Sequence, residues 1–380
     1  MASPELPRYT LPMPSGRNHG VLIAGGGLSG SLAALAMARL RPEVPILLVG
    51  EEAGFGGNRT LLLFDDDLDE AGRDFIAPLI AESWDGYYVA FPGRSRKIRL
   101  RCHAITPDRI DSAVRESLRP DQYRTGEKIV GARDQSLLLN GSETIAGVGV
   151  LDARAWVHQT TLELGWRKSV ARLFRFEAPH RVDRPVLIDT TVTADNAFFS
   201  CIPLSADALM VEYIEHSVSP DLDHAAGAAR IDEYLNARGW KGREYEREES
   251  AVLPVALGGD FGAYWRIGGA RVAKLGARGG FFHPTSGSPL PDAIDTALLL
   301  TRQRDFAGAA LHDCFESHAA ALWKRREYLR GFNRLLFRAG SLPHTALDGL
   351  YGLDPAVIAR FQAGEPGLFD RNKINAATGR

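Results

Sequence analysis

Residues Val21 to Leu40 read VLIAGGGLSGSLAALAMARL: a short apolar run, three glycines in a row, and a segment rich in Ala and Leu. The first part suits a buried strand and the last a helix, with a turn between them that glycine makes at least cost. Gly25, Gly27 and Gly30 fall on the spacing GxGxxG within that strand, turn and helix. In a dinucleotide site the first glycine makes the tight turn, the second admits a pyrophosphate against the backbone, and the third lets the helix close onto the strand. The helix start adds amide donors and a positive dipole end for phosphate. A glycine turn needed only for close packing is the other reading of the same residues.

The next apolar run, Val44 to Val49, should end in an acid that holds the adenosine ribose, about 20 residues beyond the glycines. Gly50 follows it, then Glu51 and Glu52. Glu51 is the preferred ribose ligand, and the alternative is that both glutamates are solvated loop charges. With no Arg or Lys there to favour a 2′-phosphate, a flavin dinucleotide or NAD fits better than NADP.

Further along, Gly279 to Pro291 reads GGFFHPTSGSPLP. Gly and Pro at this density mark a loop whose backbone comes close to something. Between these sites, Ala77 to Pro92 reads as a helix leading into a strand, and Arg94 to Ile105 as an exposed strand. Thr106 with Pro107 starts a capped helix. Val186 to Val192, Ala197 to Pro203 and Ala208 to Ile214 read as antiparallel strands, which suggests a substrate domain inserted in a nucleotide fold.

Composition narrows the classes. The 380 residues carry a net charge of -2, with 24% charged and 45% hydrophobic residues, so this is globular composition and nucleic acid is not expected as a partner. Cys102, Cys201 and Cys314 form no CxxC and are odd in number, which argues against a disulfide framework or zinc site and for a reducing compartment. No metal site is expected. The lead MASPELPRYTLPMPSGRNHG has no cationic start followed by an apolar run, so no signal peptide is expected. No stretch approaches the roughly 18 uninterrupted apolar residues of a membrane span. A cytoplasmic location follows as the expectation.

Several pieces together resemble the bacterial lycopene cyclase family, flavoproteins that close β-ionone rings on linear carotenoids. They are GGGLSGSLAALAMA from Gly25, GGNRT at Gly56 to Thr60, SWDGYYVAFPG at Ser83 to Gly93, HAITPDRID at His103 to Asp111, PLSADALMVE at Pro203 to Glu212, GARGGFFHPTSGSPLPDA at Gly276 to Ala293, and FNRLLFRA at Phe332 to Ala339. Their order along the whole chain is more specific than any one motif.

The resemblance implies an α/β fold: a Rossmann-type FAD-binding domain with an inserted mixed β-sheet substrate domain. The expected boundaries are 18–80, 100–180 and 265–310 for a discontinuous FAD domain, 81–99 and 181–264 for the substrate domain, and 311–380 for a C-terminal helical region. It implies FAD, active in its reduced form, with NAD(P)H as external reductant, and an apolar carotenoid as substrate. Cyclisation is then a non-redox isomerisation begun by a proton. The Gly279 loop would lie beside the flavin, with Gly279, Gly280, Pro284, Thr285 and Gly287 on the cofactor side and His283 either in the chemistry or fixed by a backbone hydrogen bond. The resemblance picks Glu212 as the acid that handles protons or stabilises the cation, with a pKa raised by burial. An edge-strand surface acid is the bland alternative.

The departures fall on the same segments. Where the family has Asp-Thr after the glutamate, this chain has Tyr213-Ile214; His-Thr-Trp-Ser-Phe-His becomes the run Arg59 to Asp65; Tyr-Arg-Phe becomes Ala197-Phe198-Phe199; and the basic, aromatic C-terminal motif is thinned to Asp348 to Leu353. They leave open a cyclase for another polyene, an FAD-dependent monooxygenase or reductase, and a flavin or carotenoid binder without catalysis. Trp323 to Arg338, basic and aromatic at helical spacing, reads either as a surface helix touching anionic lipid on the inner face of the membrane or as a helix packed on the protein body. The oligomeric state is not legible.

Overall fold

The computed structural model describes residues 19–155, 161–193, 196–241, 243–268, 271–337 and 344–379. Val21–Ala24 forms the middle of a five-stranded parallel sheet, ordered Ala273–Lys274, Gly149–Asp152, Val21–Ala24, Ile46–Val49, Tyr123–Arg124. All four of its residues are buried, so the run is continuously apolar and does not alternate. The helix Leu28–Leu40 follows directly and packs on Leu290–Thr301, the helix that starts after the Gly279 loop.

The second layer is a seven-stranded mixed sheet. Its order is Arg243–Gly259, Leu162–Phe176, Ala208–Ser217, Ala197–Pro203, Val186–Asp189, Tyr87–Phe91, Arg94–Ile98. Only Val186–Asp189 and Tyr87–Phe91 pair in parallel. One face is covered by His224–Ala237, through Ile231, Tyr234 and Leu235. The other is covered by the C-terminal helices, through Leu329, Phe332, Leu350, Val357, Phe361 and Ile374. The fold class expected from the sequence is the one observed, an α/β protein with a parallel Rossmann-type sheet and a mixed sheet.

Some expectations change. Leu162–Phe176, within the 100–180 segment assigned above to the nucleotide part, is a central strand of the mixed sheet. Ala77 to Pro92 contains no long helix: a 3-10 turn at Ala77–Leu79 closes the helix Glu70–Ile76, and two short strands, Glu82–Trp84 and Tyr87–Phe91, follow. Arg94 to Ile105 is two strands in different sheets, Arg94–Ile98 and the fully buried Cys102–Ile105. The latter pairs on both sides, with Leu61–Phe64 and Glu82–Trp84. Thr106 does cap Pro107–Ser117, accepting from the Arg109 amide.

The segment from Trp323 is not one surface helix. It breaks at Arg326 between Gly308–Arg325 and Glu327–Phe337. Arg326 is buried and holds Asp292 through two bonds of 2.7 Å, while Arg330 lies over the Trp323 ring at 3.9 Å. Arg334 donates to Leu257 O at 2.6 Å, so the helix is packed on the body of the protein. Arg338 lies outside the described residues. Among those described, no helix is long and apolar enough to cross a membrane.

Candidate functional site

The glycine turn has the geometry of a phosphate cradle. Gly25 has φ of +112°, and a Cβ there would sit 2.5 Å from Ala153 O. At Gly30 a Cβ would fall 1.9 Å from Gly25 O, so the helix closes on the strand only with glycine. At Gly27, the residue capping the helix, a Cβ would meet nothing within 4 Å. The glycine free of a packing need is therefore the one that faces open space, as the approach of a pyrophosphate requires. Glu51 is exposed just past Ile46–Val49, at the carboxyl end of the sheet where ligands of such folds bind. Arg154 is its electrostatic neighbour.

A strap leads from this turn to a cavity. The Gly56 amide donates to Ser31 Oγ at 2.9 Å and to Gly26 O at 3.0 Å. Three residues on, Arg59 enters the cavity, and Thr60 is clamped by Glu249 through its amide at 2.7 Å and its hydroxyl at 3.0 Å. The cavity, about 220 Å³, lies between the mixed sheet, this strap, the loop after His283 and the C-terminal helices. Leu61, Leu62, Ile188, Phe198, Ile202, Phe332, Leu350 and Phe361 make it largely apolar.

Glu212 projects into the cavity from Ala208–Ser217, on the same strand face as Ile214 and His216. It is not a surface acid. Arg59 meets Oε1 at 3.3 Å and Arg167 meets Oε2 at 3.6 Å, with 14% of the glutamate side chain exposed. Burial pushes its pKa up, but Arg167, Arg59 and the Ser169 hydroxyl outweigh that, and the net direction is down. The raised pKa expected above is thus reversed, because that expectation did not include the two guanidinium partners.

His283 is buried, its Nδ1 accepting from the Thr285 and Ser286 amides at 3.2 Å each, and its Nε2 facing Phe361 O at 3.2 Å. Burial, then the Arg326 charge, push its pKa down to about 3. It is a neutral imidazole that shapes the loop. Gly279, Gly280 and Gly287 also serve the protein: added Cβ atoms would strike Phe281, Phe261 and Leu253 within 2.7 Å. Gly280 and Gly287 have φ of +74° and +68°. Each of the three glycines thus packs closely against a protein side chain. The loop does return to the parallel sheet: Gly276 abuts Ser29 at the start of the first helix. Pro284 O accepts from the Ala256 amide and from Asn333. Thr285 Oγ1 is buried on the cavity wall with no partner among the described residues, an orphan suited to a polar ligand atom.

Sequence reading missed Arg167, His216 and Asp67, all on the cavity wall. Extending the strand alternation past Glu212 would have reached His216, but no local pattern marks the other two. His312, Asp313 and Glu316 could bring ligand atoms within 4.8 Å, yet both His312 ring nitrogens already face Trp265 and Asp313.

The family model for lycopene cyclase protein matches residues 20–377. The chain belongs to the lycopene cyclase family. It is 30% identical over 358 residues to a lycopene β-cyclase of Pseudescherichia vulneris, covering 93% of this chain and 92% of the relative. A lycopene β-cyclase of Paracoccus sp. (strain N81106 / MBIC 01143) is 32% identical over 362 residues, covering 94% and 93%. In fold, this family member is similar to p-nitrophenol 4-monooxygenase from Pseudomonas putida DLL-E4, with TM-score 0.65, 16% identity and coverage of 94% and 98%. It is also similar to a geranylgeranyl bacteriochlorophyll reductase-like protein from Thermoplasma acidophilum, with TM-score 0.61, 12% identity and coverage of 95% and 96%.

Proposed function

We propose that this lycopene β-cyclase-like enzyme isomerises the ends of a linear carotenoid to β-ionone rings in the cavity beside the glycine turn, with reduced FAD bound. The observation that carries this reading is the largely apolar cavity holding the arginine-braced Glu212, joined by a five-residue strap to a phosphate cradle, in a chain of this family. The apolar wall suits a polyene and excludes water from a cation.

Gly25, Gly27 and Gly30 with the amides of the helix start would hold the pyrophosphate, Glu51 the ribose, and Thr285 Oγ1 with the loop at Pro284 the ring portion. When bound and reduced, FAD supplies an electron-rich ring that stabilises positive charge in a dry site; NAD(P)H is the external reductant in this reading. Glu212, held as a carboxylate, faces the substrate as a cation stabiliser or proton acceptor.

Lycopene-producing bacteria expressing the chain provide the test. The expected result is conversion of lycopene to a product of identical mass with a blue-shifted spectrum, lost in Glu212→Gln. A product that has gained oxygen or hydrogen would replace this reading with a redox one. Unchanged lycopene beside a yellow, FAD-bearing protein would remove the carotenoid and leave the cofactor.

A further inference from the structure

We propose that Asp67 is the acid that starts ring closure, giving its proton to the terminal alkene of the polyene, and that Glu212 takes up the proton that leaves. This rests on the cyclase reading above and assigns the acid within it.

The titratable groups of the described cavity wall are Arg59, Arg167, Glu212, His216, His283, Tyr351 and Asp67. Arg59 and Arg167 hold Glu212 ionised. His216 and His283 are both pushed down to about 3, mainly by burial, and a neutral imidazole gives up its N–H only to a far stronger base than an alkene. Burial pushes the Tyr351 phenol up to about 12. Asp67 remains.

Its surroundings fit the role. It ends the short turn Asp65–Asp67, directly after Leu61–Phe64, the strand that continues the strap from Arg59. The residue as a whole is half-buried, but Oδ1 is shut off from solvent and has no hydrogen-bond partner among the described residues. Among the described residues, Oδ2 accepts only the Phe64 amide, at 3.1 Å, and no guanidinium pairs with this carboxyl as two do with Glu212.

The charges facing Asp67 leave it uncompensated. On its own turn, Asp65 is taken by His103 at 2.6 Å and Asp66 adds repulsion. From Leu290–Thr301, Asp292 also repels, and the attracting Arg326 is already bound to Asp292 through both terminal nitrogens. Tyr87, from the mixed sheet, is neutral and bonded to Gln362. The helix Pro355–Gln362, which packs on the turn, carries Arg360, whose guanidinium binds Asp370 instead. Burial therefore dominates and pushes the Asp67 carboxyl up to about 7, so a protonated fraction persists at neutral pH.

The two carboxyls are pushed in opposite directions by their environments, the arrangement that separates acid from base. The Asp67 O–H bond breaks as a C–H bond forms on the CH carbon of the terminal alkene, leaving a tertiary cation. The π pair of the neighbouring alkene closes the ring, and a ring C–H bond breaks to restore an alkene as its proton passes to the Glu212 carboxylate. One proton enters and one leaves, with no net redox change. The cycle closes when Asp67 regains a proton and Glu212 gives one up.

The test uses the purified full chain with reduced FAD and lycopene in vesicles, comparing wild type, Asp67→Asn and Asp67→Glu from pH 5 to pH 9, a range about two units either side of neutrality. The wild-type rate should fall with rising pH through about 7, where the acid ionises. Asp67→Asn should lose at least about 100-fold in rate while keeping its flavin content, and Asp67→Glu should restore part of the rate with the basic limb displaced. Infrared difference spectra should show a carboxylic C=O band that titrates near neutral pH and is missing in Asp67→Asn. An Asp67→Asn enzyme within about threefold of wild type, with the same basic limb, overturns the assignment and leaves the cyclase reading intact. A wild-type enzyme that binds FAD but leaves lycopene unchanged overturns the cyclase reading, and this proposal with it.

Discussion

The guanidinium of Arg59 reaches Oε1 of Glu212 at 3.3 Å, across 153 residues of chain. With Arg167 on the other oxygen, it fixes the charge of this acid on the cavity wall. One negative charge between two positive ones is the balance that each variant at this site disturbs.

Glu212→Gln leaves Arg59 and Arg167 facing each other in a largely apolar cavity. Removing one partner from a buried ionic group costs about 3–5 kcal/mol. The variant should therefore lose both cyclisation and that much stability in urea unfolding. Adding Arg59→Leu should recover a good part of the stability and none of the activity. Equal recovery of both would mean that the charge of Glu212 has no catalytic use.

The glycine turn predicts two different failures. Gly27→Ala places its methyl in open space and should leave the apo-protein's melting temperature unchanged while lowering FAD content. Gly30→Ala drives a methyl to 1.9 Å from Gly25 O and should destabilise the protein whether or not FAD is present. Thermal melts with and without added FAD separate the two.

Acid should unfold the protein early. His216 and His283 have folded pKa values of about 3, below the unfolded value near 6.5, so below pH 6.5 the unfolded chain binds protons that the folded one does not. The stability they contribute is present above pH 6.5 and is lost as pH falls toward 3. Asp67 works in the opposite sense. Its folded value of about 7 lies above the unfolded carboxylate value, so stability is present below about pH 4 and is lost as pH rises to 7. Urea titrations from pH 4 to pH 8 should show Asp67→Asn gaining stability on wild type at the upper end, and His283→Gln losing the acid slope of one imidazole.

Asp292 and Arg326 form a buried, two-pronged ion pair between the helix after the Gly279 loop and the break before Glu327–Phe337. Asp292→Asn alone should cost about 3–5 kcal/mol, because Arg326 keeps its charge in a dry place. Replacing both together, Asp292→Leu with Arg326→Met, should cost much less in the same unfolding assay.

How much of this was readable in the sequence depends on how far each feature reaches along the chain. The strand, turn and helix at Val21 to Leu40 were legible because twenty contiguous residues carry the apolar period and the glycine spacing together. Thr106 as a cap was legible for the same reason. Glu212 was found through its motif, but its charge state was not, since that depends on Arg59 and Arg167 from two other elements. The strand Leu162–Phe176 was assigned to the wrong layer because its neighbours in the sheet are supplied by residues 208–217 and 243–259. The segment from Trp323 to Arg338 left a surface helix and a packed one both open for a similar reason: Asp292 and Leu257 O, which receive Arg326 and Arg334, come from elsewhere in the chain. Asp67 carried no visible signal, because enclosure by distant helices is a property of the fold alone.

The strap from Gly56 to Thr60 has a consequence for anyone reading phenotypes. One end is bonded to Ser31 and Gly26 in the glycine turn, and the other places Arg59 on Glu212. A lesion that displaces the turn would draw Arg59 away from the acid as well. In a screen of pigmented colonies, mutants of the glycine turn and mutants of Glu212 would share one colour, and sorting them would take the yellow of the purified protein.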